Sequence, residues 1–140
     1  MPITDKVTQL HGTPRVLYIE DDLVYGELVK HMLSTLGCTV DLKKTGADGL
    51  AAFQDAPYDI VAVDYRLPDI TGIEICLKLR DIAPSLPLVI ITGKGKASAP
   101  VEALSIDVPH YLEKGDTAEF TEGLINTFRH LIKNLPPTRA

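Results

Sequence analysis

The sequence predicts an α/β fold in which a doubly wound, five-stranded parallel sheet is flanked by five helices. Short apolar runs rich in strand-forming residues recur along the chain. Stretches with apolar residues at helical spacings of three and four separate these runs. The runs at 60–63 and 88–91 are wholly apolar, which is typical of parallel strands that are buried on both faces of a sheet.

The composition fits a single domain of this kind. The chain has 140 residues, of which 45% are hydrophobic and 24% charged, and one domain commonly has about 100–200 residues. We predict a domain at 15–135, a loose N-terminal arm at 1–14, and a C-terminal tail or linker start at 136–140. The 14 basic and 19 acidic residues give a net charge of −5, which argues against direct binding of nucleic acid.

The first half of the predicted domain alternates strand and helix twice. An apolar strand at 15–19 precedes a helix whose first turn Asp22 can cap. A more polar strand at 38–42 follows this helix. Thr45 and Asp48 then have the spacing of a capping-box-like start to the second helix.

The second half repeats the alternation three times. The predicted segments are, in order, a strand at 58–63, a turn at 67–72, a helix that Pro84 ends, a strand at 86–91, a short helix near 100–105, a strand at 110–112 and a last helix from 116 to 135. The domain therefore contains five strands and five helices.

Several classes of protein are excluded by what the sequence lacks. The longest apolar runs have four residues, whereas a membrane span needs about 20, and the N-terminus has no signal-peptide pattern. Cys38 and Cys76 are too few and too far apart for a disulfide framework or a zinc site. We therefore expect reduced, buried thiols, a cytoplasmic location and no membrane partner.

Polar residues stand where the predicted strands end. Glu20 and Asp21 follow the first strand, and Asp64 follows the third. Thr92 and Lys114 follow the fourth and fifth strands. Because ligands of doubly wound sheets bind outside the carboxyl ends of the strands, we expect these side chains to share one cleft.

The chemistry of such a cluster is constrained. Crowded carboxylates repel one another unless a cation neutralises them, and Mg²⁺ prefers oxygen ligands and often shares its shell with a phosphate. A lysine and a threonine hydroxyl suit phosphoryl oxygens, and an aspartate can be the nucleophile of phosphoryl transfer. The residues therefore predict a Mg²⁺-dependent site that carries a phosphoryl group on an aspartate.

Four stretches contain these strand-end residues: VLYIEDD at 16–22, DIVAVDYRLPDITG at 59–72, LVIITG at 88–93 and YLEK at 111–114. Together they resemble the receiver domain of response regulators, the CheY-like phosphoacceptor of two-component signalling. The resemblance covers about residues 14–134. It implies a flavodoxin-like, CheY-like fold with strand order 2-1-3-4-5 and a phosphorelay switch, which catalyses only its own phosphorylation and dephosphorylation and is otherwise not an enzyme.

The resemblance also implies roles for individual residues around the phosphoryl group. Asp64 is expected to be the phosphoacceptor, which takes the group from a phosphohistidine of a histidine kinase or a histidine phosphotransfer protein. Thr92 and Lys114 are expected to contact the phosphoryl oxygens, and Tyr111 to turn inward with Thr92 as the switch. A downstream effector protein or a fused output domain is expected to read the change.

The metal site is implied in the same way. Glu20, Asp21 and Asp64, with the backbone carbonyl of Arg66, are expected to hold Mg²⁺, for which Mn²⁺ is an alternative. The side chain of Asp22 is expected to cap the following helix instead.

The sequence departs from the family pattern after Lys114. The family usually has proline in a cis peptide at the next position, where this chain has Gly115. The usual pair of small residues before the fifth strand is replaced by Asp107 and Val108, with Pro109 after them. The loop after Thr92 has two glycines, and the fourth helix is short. We therefore expect the face formed by the fourth helix, the fifth strand and the last helix to be atypical and not to form the common receiver dimer.

Three other functions are alternatives to the phosphoacceptor switch. A pseudo-receiver would use the same fold as a docking module that is never phosphorylated. A haloacid-dehalogenase-like phosphatase needs a second aspartate two residues after the nucleophile, where this chain has Arg66. A flavodoxin-like FMN binder needs a hydroxyl- and glycine-rich loop after the first strand, which is absent here.

Overall fold

A computed structural model of the chain describes residues 12–93, 110–115 and 118–136. Most of the predicted arm, the predicted short helix near 100–105 and most of the predicted tail lie outside these residues. None of the helices in the described ranges is long and apolar enough to cross a membrane.

The described residues form five strands and four helices, with a helix after every strand except the fourth. Most of the residues between the fourth and fifth strands lie outside the described part of the chain. The strands are β1 (Arg15–Ile19), β2 (Thr39–Lys43), β3 (Ile60–Asp64), β4 (Leu88–Thr92) and β5 (His110–Glu113), and the helices are α1 (Leu23–Ser34), α2 (Gly46–Asp55), α3 (Gly72–Ile82) and α4 (Ala118–Lys133). All neighbouring strands pair in parallel, in the order β2-β1-β3-β4-β5. The predicted fold class and strand order are confirmed.

Residues of β1 alternate between two cores, one on each face of the sheet. Val16 and Tyr18 pack in a cluster that contains residues of α1 and α4. Leu17 and Ile19 pack in a second cluster that contains residues of α3. Because successive side chains of a strand point to opposite faces, a strand that is apolar throughout fills both cores at once.

Three helices begin at a capping side chain. Asp22, Thr45 and Thr71 are the N-caps of α1, α2 and α3, and each accepts a hydrogen bond from the backbone N–H three residues on, at 3.1, 3.0 and 3.2 Å respectively. Such a bond satisfies an N–H that the first turn leaves without a partner. The caps at Asp22 and Thr45 were predicted from the sequence, and the cap at Thr71 was not.

β4 begins two residues later than the sequence predicts. The N–H of Leu86 donates to the carbonyl of Ala83 in the turn after α3, so Leu86 cannot also donate to a neighbouring strand. The strand consequently starts at Leu88 and ends at Thr92.

Both cysteines are free and buried, as predicted. Cys38 packs in the core on the α1 and α4 side of the sheet, and Cys76 packs on the α3 side. Since each lies on a different face of the sheet, the two thiols are separated by the strands.

Candidate functional site

The ends of the parallel strands meet at an open cleft of about 450 Å³. Its lining consists of Glu20, Asp21, Asp22, Asp64, Arg66, Thr92, Gly93 and Lys114. The register explains the convergence, since Ile19 of β1 lies beside Val63 of β3 and Thr92 of β4 lies beside Glu113 of β5. The next residue along each strand therefore arrives at the same edge of the sheet.

Lys114 is paired with two carboxylates in this cleft. Its Nζ lies 2.5 Å from Oε1 of Glu20 and 3.2 Å from Oδ2 of Asp64. Its backbone N–H donates to the carbonyl of Thr92 at 2.6 Å. Burial alone would lower the pKa of Lys114, but the hydrogen bond to Glu20 and the charge of Asp64 outweigh it and raise that pKa.

Three carboxylates gather around the lysine. Oxygen atoms of Glu20, Asp21 and Asp64 all lie within 4.8 Å of one another. Glu20 and Asp64 are only 3% and 6% exposed, whereas Asp21 faces solvent. Burial raises the pKa of Glu20, and the neighbouring Asp64 adds to the rise. This acidic cluster could hold a hard metal ion, because carboxylate oxygens are the ligands such ions prefer.

The remaining predicted site residues occupy different surroundings. Thr92 is 1% exposed and ends β4 at the cleft. Arg66 lines the cleft with an exposed side chain. Tyr111 does not line it and instead lies half-buried against the core on the α3 side of the sheet. The structure thus brings together every predicted site residue except Tyr111.

The loop from β3 to α3, which follows Asp64, is fixed by hydrogen bonds within itself and to α2. The N–H of Gly72 donates to the carbonyl of Tyr65 at 2.7 Å. The carboxylate of Asp69 accepts hydrogen bonds at 2.8 Å from the N–H groups of Gly46 and Ala47, at the start of α2. These two backbone bonds lower the pKa of Asp69, and they tie the loop to the neighbouring helix.

Tyr18 is a site residue that sequence reasoning missed. Its side chain is fully buried in the core beneath the cleft, and its hydroxyl donates to Oε1 of Glu20 at 2.9 Å. Burial and the charge of Glu20 raise the pKa of Tyr18 well above its ordinary value, so the phenol remains a donor. Nothing in the sequence distinguishes this tyrosine from its apolar neighbours, because aromatic residues are common in strands.

Tyr25 is the second missed residue. It fits the apolar stripe of α1, but its hydroxyl accepts a hydrogen bond from the N–H of Gly115 at 2.7 Å and donates to the carbonyl of Gly115 at 2.6 Å. The peptide bonds of the described residues include no cis bond, so the Lys114–Gly115 bond is trans. The other departures, at 94–109, lie outside the described residues.

Known proteins match most of the chain. The family model of the response regulator receiver domain matches residues 16–124. The transcriptional regulatory protein QseB of Escherichia coli O157:H7 is 36% identical over 100 residues, which are 71% of this chain and 46% of that protein. The response regulator MprA of Mycobacterium sp. (strain KMS) is 28% identical over 123 residues, or 88% of this chain and 52% of that protein. The chain thus spans about half the length of these curated relatives.

Solved structures have the same fold. The CheY-like receiver domain protein of Methanospirillum hungatei JF-1 superposes with a TM-score of 0.78 at 22% identity, covering 86% of this chain and 94% of that one. The chemotaxis response regulator CheY4 of Vibrio cholerae gives a TM-score of 0.74 at 22% identity, covering 85% and 98%. Since the family match also contains the whole acidic cluster and Lys114, the chain belongs to the response regulator receiver domain family.

Proposed function

We propose that this domain is the phosphoacceptor of a two-component phosphorelay. It takes a phosphoryl group from a phosphohistidine of a histidine kinase or a histidine phosphotransfer protein onto Asp64. The observation that carries the proposal is the position of Asp64, which is nearly buried, lies 3.2 Å from Lys114 and shares its cleft with Glu20 and Asp21.

In the transfer, an oxygen of Asp64 attacks the phosphorus of the donor. The new O–P bond forms as the P–N bond to the donor imidazole breaks, and the imidazole leaves with the electron pair and regains a proton from solvent. Lys114 is positioned to pair with the incoming phosphoryl oxygens, and the hydroxyl of Thr92 can donate to another of them.

The acidic cluster would hold Mg²⁺, or Mn²⁺, through Glu20, Asp21 and Asp64 with the backbone carbonyl of Arg66. When bound, the ion neutralises the negative charge that accumulates where a carboxylate meets a phosphoryl group. The ammonium group of Lys114 already pairs with Glu20 and Asp64. The two buried carboxylates are thus partly neutralised by the protein itself.

Phosphorylation then acts as a switch. A phosphoryl group that contacts Thr92 and Lys114 binds one arrangement of the β4 and β5 ends better than another, so it shifts the population between them. We infer that Tyr111, half-buried on β5, changes its packing when Thr92 moves. The switch requires no chemistry beyond the acyl phosphate.

The output is proposed to lie in another protein or in a fused domain. The relatives named as a transcriptional regulatory protein and a response regulator are about twice as long as the matched region. A fused DNA-binding output is therefore consistent with them, while this acidic domain would contact neither nucleic acid nor a membrane directly. We place this signalling in the cytoplasm.

Incubation with Mg²⁺ and acetyl phosphate or phosphoramidate tests the proposal. The expected product is one acid-stable, base-labile adduct per chain, which mass spectrometry detects, and which is lost in Asp64→Asn and when the metal is chelated. Asp48→Asn, which changes an exposed carboxylate of α2, should leave the adduct intact. No adduct on the wild-type chain would favour a docking module that is not phosphorylated, and an adduct on Asp64→Asn would refute the assignment of the acceptor.

A further inference from the structure

We propose that Tyr25 is a positioning residue for Lys114. It would hold the backbone after the lysine so that Nζ stays within reach of the phosphoryl site. This inference rests on the proposed function, because Lys114 matters to the transfer only if Asp64 accepts a phosphoryl group. In this role Tyr25 acts through the lysine and not on the reacting atoms.

The hydroxyl of Tyr25 binds both backbone groups of one residue. It accepts from the N–H of Gly115 at 2.7 Å and donates to the carbonyl of Gly115 at 2.6 Å. One phenol can serve as acceptor and donor at once, so a single atom fixes both polar groups of Gly115. The contact joins residues that are 90 positions apart in the chain, and it therefore ties α1 to the end of β5.

The ring of Tyr25 contributes a second contact. Nζ of Lys114 lies 4.9 Å from the ring centroid, a distance at which the ring face attracts a cation. The ring of Phe120, in α4, meets Tyr25 at 68° with centroids 5.6 Å apart, which is a favourable edge-to-face arrangement. Phe120 thus holds Tyr25 in place, and Tyr25 contacts both Lys114 and Gly115.

Glycine at position 115 makes the two hydrogen bonds to Tyr25 possible, and it also makes them necessary to fix the backbone. Gly115 has the N–H that the hydroxyl requires, and proline at this position would have none. Glycine also has more backbone freedom than other residues, so without a partner the segment after Lys114 would sample more conformations. Since small displacements of a positioning group slow catalysed reactions strongly, the hydroxyl should affect how fast Asp64 is phosphorylated.

The variant Tyr25→Phe isolates the hydroxyl, because it keeps the ring against Lys114 and Phe120. At saturating Mg²⁺ and acetyl phosphate, we expect phosphorylation about 3- to 10-fold slower than in the wild type, the loss typical of one or two hydrogen bonds. The Kd for Mg²⁺, measured by calorimetry, should stay within about twofold, because the carboxylates are untouched. Tyr58→Phe is the matched control, because it removes a hydroxyl that donates to Asp41. Tyr58 lies just before the start of β3, away from the cleft. The phosphorylation rate of this variant should equal that of the wild type.

A double-mutant cycle tests whether Tyr25 acts through Lys114. In a Lys114→Met background, Tyr25→Phe should have no further effect on the rate, because the group it positions is gone. An additional slowing of the same size as in the wild type would overturn the proposal, as would a wild-type rate for Tyr25→Phe alone. A simultaneous fall in Mg²⁺ affinity would also overturn it, because the defect would then be a general one.

Amide hydrogen exchange at Gly115 separates this inference from the proposed function. The N–H of Gly115 should exchange at least several-fold faster in Tyr25→Phe than in the wild type, whether or not either is phosphorylated. If the wild-type chain accepts no phosphoryl group but this difference appears, the proposed function fails and the positioning of the segment stands. Equal exchange in the two proteins refutes the positioning role directly.

Discussion

At the scale of single residues, Glu20 lies where the hydrophobic core meets the acidic cluster. Tyr18 donates to its Oε1 from within the core, and the backbone N–H of Asp22 donates to its Oε2 at 3.2 Å. Lys114 pairs with it at 2.5 Å. The net effect of this environment is nevertheless a raised pKa for Glu20, with burial as the largest cause, so its negative charge opposes folding when no metal is bound.

We therefore expect Glu20→Gln to be more stable than the wild type at neutral pH without metal. A carboxyl group whose pKa is raised on folding binds more protons in the folded than in the unfolded state, so stability falls as pH rises from its ordinary value of 4.5 through the raised value. The urea midpoint of the wild type should fall relative to that of Glu20→Gln over this interval, in a chelating buffer. Glu27→Gln, on the exposed side of α1, is the control. If the urea midpoints of the wild type and Glu20→Gln changed equally with pH, the prediction would be contradicted.

The cysteines permit a second prediction at this scale. Burial raises the pKa of both Cys38 and Cys76 to about 12, so about one thiol in 10,000 is ionised at pH 8. Ellman's reagent should react with neither thiol promptly in the native protein and with both in guanidinium chloride. Cys38→Ser should remove one equivalent from the denatured count, and two prompt equivalents in native buffer would refute the buried placement.

At the scale of elements, the start of α3 is pressed against the end of β3. A methyl group on Gly72 would collide with the carbonyl oxygen of Asp64 and would lie 3.0 Å from Cα of Tyr65. Both neighbours are backbone atoms, which cannot turn away as a side chain can. A glycine is therefore required here by the closeness of the helix to the backbone of Asp64 and Tyr65.

Gly72→Ala should destabilise the fold by about 1–3 kcal/mol, the usual range for an overpacked site, and chemical denaturation measures this. Gly26→Ala is a matched control in α1, because its added methyl group would lie 3.4 Å from a flexible side-chain atom of Leu42. Its stability should be unchanged or higher, since alanine favours a helix interior more than glycine does. Equal losses in the two variants would show that close packing at Gly72 is not the reason.

The identity and order of the elements were largely predictable from hydrophobic periodicity. The bounds of the elements were less predictable. The start of β4 depends on a backbone hydrogen bond from Leu86 to Ala83 in the preceding turn, and such a bond leaves no periodic signal in the sequence. The hydrogen bonds from the start of α2 to the carboxylate of Asp69 could not be predicted from the sequence either. The bond to Gly46 joins residues 23 positions apart, which only the packed chain brings together.

At the scale of the whole molecule, the acidic cluster exists because parallel strands end at one edge. Residues that are far apart in the chain meet there, and Lys114 offsets only part of the repulsion among the three carboxylates. A bound ion should consequently stabilise the entire fold, because only the folded chain assembles the carboxylates.

Mg²⁺ at ten times its Kd should raise the free energy of unfolding by about 1.4 kcal/mol, from binding to the folded state alone. The thermal midpoint in Mg²⁺ should therefore exceed that in a chelating buffer. Asp21→Asn should reduce or abolish this shift, because Asp21 is an exposed member of the cluster, whereas Asp48→Asn should retain it. The same shift in Asp21→Asn as in the wild type would place the ion elsewhere.

The sequence by itself determined the fold class and the residues that gather in the cleft. Strands that are apolar throughout must be buried on both faces, and parallel strands must end at one edge, so the order of residues along the chain is enough to place Glu20, Asp64 and Lys114 together. Only the tertiary structure decided what the two tyrosines of β1 and α1 do. A buried tyrosine is apolar over most of its surface and polar at one atom, and the partner of that atom, Glu20 or Gly115, is chosen by packing between distant parts of the chain.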